Sequence, residues 1–141
     1  MRISARNQLK GTIVKVTPGA VNGAVAIDLG GVVVKADITM EAIEALGLAE
    51  GMTAYAIVKA TNVMFAAGDQ KVTGISARNQ LAGTVESVKE GAVNGHVRLA
   101  LADGNHITGS ITNEAIQSLE LAEGKPAVAI VKATDVIVGV E

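Results

Sequence analysis

The chain contains the same unit twice, and this repetition limits its fold more than any other feature. Ser4–Leu9 (SARNQL) recurs letter for letter as Ser76–Leu81, and Gly19–Gly23 (GAVNG) as Gly91–Gly95. Leu48–Gly51 (LAEG) recurs as Leu121–Gly124, and Ala56–Thr61 (AIVKAT) as Ala129–Thr134. Ile38–Ile43 (ITMEAI) returns as Ile111–Ile116 (ITNEAI). The spacing grows by one along the unit, so the second copy holds an extra residue near Asp103-Gly104-Asn105. Each unit is about 65 residues, longer than the roughly 20–50 of solenoid repeats and small for a domain. The chain therefore reads as two tandem domains, residues 1–67 and 75–141, joined by a short polar linker, residues 68–74.

Core material is limited. Hydrophobic residues make up 49% of the 141, yet there is one Phe, one Tyr and no Trp. Units this small, filled with Ala, Val, Ile and Leu, have thin cores. The domains are expected to pack on each other or on further chains.

Residue patterns within one unit predict five strands and a helix. Residues 9–16 are rich in β-branched residues, and Pro18-Gly19 marks a turn after them. Residues 21–29 alternate, Gly30-Gly31 turns the chain, and residues 32–36 form a third strand. Thr39 is a helix N-cap with Glu41 in the first turn, where a carboxylate suits the macrodipole. Ile43 and Leu46 supply the apolar face, and Gly47 ends the helix. The second copy has Glu120 where the first has Gly47, so that stop signal is not shared. Residues 53–58 and 63–65 complete the set. Five strands with a helix after the third is the element order of an OB barrel, so the expected fold is all-β with a short helix per repeat, two tandem OB barrels.

Several functions lack parts. There is no Cys, so no disulfide, thiolate zinc site or catalytic thiol exists. The net charge is −2, without the basic footprint of a nucleic-acid binder, and two aromatics give few stacking platforms. No apolar run reaches the roughly 18 residues of a membrane span, and residues 1–7 lack a signal-peptide core. The expected setting is the cytoplasm.

The repetition also filters polar residues, because a site built in both halves should use residues that recur. His96 and His106 align with Ala24 and Val34 and fail this filter, which argues against a His-based metal or catalytic site. Glu50 and Glu123 sit in turns, and Glu41 and Glu114 fit helix first turns. No recurring nucleophile–base pair or acid cluster remains, so no enzyme activity is expected.

What recurs is a donor set. Ser4/Ser76, Thr39/Thr112 and Thr61/Thr134 bring hydroxyls, and Asn7/Asn79, Gln8/Gln80 and Asn22/Asn94 bring amides. Arg6/Arg78 and Lys59/Lys132 bring charge. Gly19/Gly91 and Gly23/Gly95 would let backbone N–H groups approach a ligand. Tetrahedral oxyanions accept at every oxygen, and one Arg plus one Lys balances a dianion.

Ser4–Gln8, Gly19–Asn22, Thr39-x-Glu41-Ala42 and Lys59-Ala60-Thr61, with their second copies, resemble the molybdate-binding mop domain of the molbindins. The likeness covers nearly the whole chain, which resembles a tandem, or di-mop, molbindin. It implies an OB fold, assembly of tandem chains as homotrimers, and binding of molybdate or tungstate for intracellular storage and homeostasis. It implies no other cofactor, no nucleic-acid or membrane partner, and molybdenum held only as the oxyanion, without a direct protein ligand. One kind of site would use Ser4, Ala5, Arg6, Thr39, Lys59, Ala60 and Thr61, and its counterpart Ser76, Ala77, Arg78, Thr112, Lys132, Ala133 and Thr134. Sites between modules imply that the Ser-Ala-Arg segment of one module can meet the Lys-Ala-Thr segment of another. A second kind would use Gly19, Ala20, Val21 and Asn22 with Gly91, Ala92, Val93 and Asn94, near the symmetry axis. Asp135, which follows Thr134, is expected to point away from the anion. Two other readings stay open here: a molybdate-responsive sensor acting through a partner protein, and an OB-fold binder of single-stranded nucleic acid.

Overall fold

A computed structural model describes the backbone of residues 1–141 and every side chain but that of Asp103. The first repeat forms β1 (Asn7–Thr17), β2 (Asn22–Asp28), β3 (Val33–Thr39), α1 (Met40–Leu46), β4 (Thr53–Val58) and β5 (Met64–Ala67). The second forms β6 (Asn79–Glu90), β7 (Asn94–Ala100), β8 (His106–Thr112), α2 (Asn113–Ser118), β9 (Pro126–Val131) and β10 (Ile137–Gly139). Single 3-10 turns, Ala60–Asn62 and Ala133–Asp135, separate β4 from β5 and β9 from β10.

Local signals act as their chemistry dictates. The Thr39 hydroxyl accepts from the Ala42 N–H at 3.1 Å, and Thr112 does the same for Ala115 at 3.1 Å. Gly47 closes α1 in the left-handed region, with φ 62°. Glu120 adopts that conformation too, with φ 53°, although it has a side chain. Burial explains this: Leu121 packs into the core as Leu48 does, and the chain must make the same turn to deliver it. The extra residue of the second copy is absorbed in a 3-10 turn, Ala102–Gly104, between β7 and β8. β1 and β6 each carry a bulge, at Val14 and Glu86, that bends the long strand around its barrel.

The fifth strands depart from the simple expectation. The two sheets run β10-β4-β1-β2-β3 and β5-β9-β6-β7-β8. Each repeat therefore hands its last strand to the other: β10 pairs with β4 (Val138 opposite Ala56), and β5 pairs with β9 (Phe65 opposite Ala129). β3 and β8 lie against the 3-10 turns of the opposite repeat. The buried residues of both repeats form one continuous cluster, from Leu9 to Val138. Sharing strands and core answers the shortage of apolar volume in each unit.

The exchange is fitted side chain by side chain. Phe65 packs on Gly109, where an added Cβ would collide with its ring. The counterpart pair is Val138 with Ala36, so one barrel uses a large residue over none and the other a medium residue over a methyl. Gly23 and Gly95 are explained by packing as well. A Cβ on either would stand 2.6 Å from the Cδ1 of Ile43 or Ile116, so these glycines admit the helices.

Candidate functional site

Strand register alone assembles the first part of the site. Asn7 opens β1 opposite Val58, which closes β4, so Ser4–Arg6 and Lys59–Thr61 emerge side by side. Asn79 opposite Val131 repeats this for Ser76–Arg78 and Lys132–Thr134. In the first repeat the Gln8 amide donates to the carbonyls of Ile3 (3.2 Å) and Ala5 (3.1 Å), which folds the segment back over the strand end. In the second, Gln80 instead exchanges hydrogen bonds of 2.7 and 2.9 Å with the backbone of Val72.

Two cavities result. One, about 510 Å³, is lined by Ile3, Ser4, Ala5, Arg6, Ile57, Lys59, Ala60 and Thr61, joined by His96, Ser110 and Ile137 of the other repeat. The other, about 430 Å³, is lined by Ile75, Ser76, Ala77, Arg78, Ile130, Lys132, Ala133 and Thr134, joined by Met64 of the other repeat. Each thus holds Arg, Lys and two hydroxyls of its own repeat above an apolar floor, and among the described residues no carboxylate lines either. Among the described residues, Arg6, Lys59, Arg78 and Lys132 form no salt bridge. The 3-10 turns add donors. Asn62 and Asp135 donate to Lys59 and Lys132 at 2.9 Å, so the N–H groups of Ala60, Thr61, Ala133 and Thr134 have no partner within the turn. Asp135 is half-buried and does not line its cavity. The arrangement can accept a small anion through charge-assisted hydrogen bonds.

The structure sorts the other candidates differently. Ser-Ala-Arg and Lys-Ala-Thr segments of the same repeat meet, and the opposite repeat contributes other residues. Thr39 and Thr112 line neither cavity. Thr39 pairs with Asn22, and the neighbouring N–H of Met40 donates to Val21 at 2.7 Å, so Thr39 sits with the Gly19–Asn22 turn; Thr112 sits likewise with Gly91–Asn94. Those turns expose Val21 (74%) and Val93 (70%). Asn7 and Asn79 are withdrawn from the donor set. They are buried, at 3% and 1% exposure, and bond to Thr108 and Lys35 of the opposite repeat. Gln8 and Gln80 are spent on the backbone contacts above.

His96 and Ser110 were missed by sequence reasoning. They face each other across β7 and β8. A filter on recurrence discards such residues, because their counterparts, Ala24 and Asp37, are different. Among the described residues no His/Cys/Asp/Glu group could hold a metal ion, and no helix is long and apolar enough to cross a membrane.

Comparison with known proteins accords with this geometry. The TOBE domain model matches residues 3–65 and 75–138. The chain is 42% identical over 138 residues to molybdenum-pterin-binding protein MopA of Rhodobacter capsulatus and 39% identical over 142 to molybdenum transport protein ModE of Herbaspirillum seropedicae. It covers 52% of each, and so spans about half the length of these curated relatives. One repeat is 45% identical to molybdenum-pterin-binding protein 2 of Clostridium pasteurianum and covers 94% of it. A crystal structure of the cytoplasmic molybdate-binding protein ModG with molybdate bound superposes with a TM-score of 0.95, at 44% identity over the full length of both chains. Two matched domains, the exchanged OB-type barrels and the paired Ser-Ala-Arg/Lys-Ala-Thr cavities lead to one assignment: the chain belongs to the TOBE domain family, as a tandem molbindin-type pair.

Proposed function

We propose that this chain captures molybdate or tungstate reversibly and serves in cytoplasmic storage and homeostasis of the oxyanion. One observation carries the reading. Each repeat builds a cavity with an Arg and a Lys outside any salt bridge, two hydroxyls and two N–H groups without a partner in their turn, and among the described residues no carboxylate lines it. Removing a dianion from water is costly unless donors and charge replace its hydration, and this set replaces both. The fork of Arg6 or Arg78 contacts two oxygens at once, while the lysine supplies a compact charge. Binding and release need no catalytic group and no cofactor. The full-length likeness to a molybdate-bound protein supports the choice of anion.

In one chain both cavities are open, and Arg6, Lys59, Arg78 and Lys132 are exposed. A homotrimer would cover them. Exposed apolar residues support such a cover: Ile3 and Ile137 rim one cavity, Met64 and Ile75 the other, and Val21 and Val93 crown the turns. The Gly19–Asn22 and Gly91–Asn94 turns, with Thr39 and Thr112, would then meet neighbouring chains and hold further anions. Closure by a neighbour would set the size that separates molybdate from sulfate, since charge and shape are alike.

Calorimetry on the Arg6→Ala, Arg78→Ala double variant tests the site: most molybdate binding should be lost, and undiminished binding overturns it. Native mass spectrometry should give a trimer that retains molybdate on desalting, whereas a monomer that still binds removes the interface argument. Competition among molybdate, tungstate, sulfate and phosphate then ranks the anions.

A further inference from the structure

The two cavities are not chemically equal, although their Ser-Ala-Arg and Lys-Ala-Thr segments are identical. The opposite repeat covers each one, and the covering residues differ. Over the first-repeat cavity lie His96 of β7 and Ser110 of β8, register partners of one another. The Ala60–Asn62 turn lies against β8, which brings Ser110 beside the Lys-Ala-Thr segment. The same relation holds on the other side, where the Ala133–Asp135 turn lies against β3. There the register partners are Ala24 and Asp37. One cavity therefore gains an imidazole N–H and a hydroxyl, both able to donate. The matching positions of the first repeat, Ala24 and Asp37, line neither cavity, so the second cavity gains no such donor from its cover.

We propose that His96 and Ser110 make the first-repeat cavity the tighter oxyanion site, and that the second-repeat cavity, without such donors, is the weaker one. This rests on the reading that both cavities bind oxyanions. A hydrogen bond to the charged anion, gained on one side and missing on the other, separates the affinities by about tenfold. The chain then loads in sequence, and the weaker cavity empties first as the free anion falls.

Equilibrium dialysis of molybdate against the full chain tests the inference with single-site backgrounds. Arg78→Ala leaves the first-repeat cavity intact, and Arg6→Ala leaves the second. The Arg78→Ala chain should bind about tenfold more tightly than the Arg6→Ala chain. Adding His96→Ala to Arg78→Ala should erase most of that advantage. Equal affinities in the two backgrounds, or no response to His96→Ala, overturn the proposal. If neither arginine variant nor their combination alters binding, the oxyanion reading itself fails, which is a different result.

Discussion

Asn79 and Lys35 exchange two hydrogen bonds of 2.8 Å across the boundary between the repeats. The Lys35 N–H donates to Asn79 Oδ1, and Asn79 Nδ2 donates to the Lys35 carbonyl. Asn7 does the same to Thr108, also at 2.8 Å for both bonds, and Lys35 and Thr108 are equivalent positions of the two repeats. The amide thus completes one rung on β3 and on β8, the strands that end the two sheets. An Asn retained in both copies beside the proposed anion-binding segments is, in the fold, a clasp between barrels.

Breaking one clasp leaves the part-buried Lys35 N–H and carbonyl without their side-chain partner. Asn79→Ala should lower unfolding stability by about 1–3 kcal/mol, read from denaturant midpoints. Asn79→Asp should fare no better, because a carboxylate serves the Lys35 N–H but repels its carbonyl. Equal stability of wild type and Asn79→Ala would show that water replaces the clasp.

The packing of Phe65 on Gly109 predicts a rescue. Gly109→Ala should cost about 1–3 kcal/mol by overpacking against the ring. Phe65→Val combined with Gly109→Ala reproduces the Val138 and Ala36 pair of the other barrel, and should recover much of the loss. A double-mutant cycle measures this coupling, and additive losses would contradict it.

Glu120 holds a left-handed conformation that Gly47 holds in the first repeat. Glu120→Gly should raise stability by about 1 kcal/mol, since the side-chain penalty disappears. A thermal or urea melt reads the change, and Gly47→Ala should shift it the other way.

The exchange of β5 and β10 makes one repeat incomplete alone. A fragment of residues 1–74 lacks the strand that pairs with β4, and its own β5 has no acceptor. It should elute as a dimer that swaps β5 between two copies. Phe65 would then meet Ala36 in place of Gly109, so Ala36→Gly should stabilise that dimer. A folded monomeric fragment would show that each barrel can close on its own strand.

The repetition, strands, helix caps and donor chemistry were legible in the sequence because each depends on residues close along the chain. Thr39 caps α1 and Gly47 ends it for reasons contained in a few positions. The meeting of Ser4–Arg6 with Lys59–Thr61 follows from one strand pairing, Asn7 with Val58. Which barrel receives each fifth strand was not legible, because β4 and β9 offer edges of nearly the same composition and only distant packing, Phe65 on Gly109, separates them. The same holds for Asn7 and Asn79, whose amide chemistry suits an anion or a backbone rung, and only the adjacent edge strand assigns it. His96 and Ser110 lie deepest in tertiary structure. The sequence alone determined two copies of an oxyanion-suited donor set, and the fold decided what covers each copy, since a cover comes from the opposite repeat and carries no local signal.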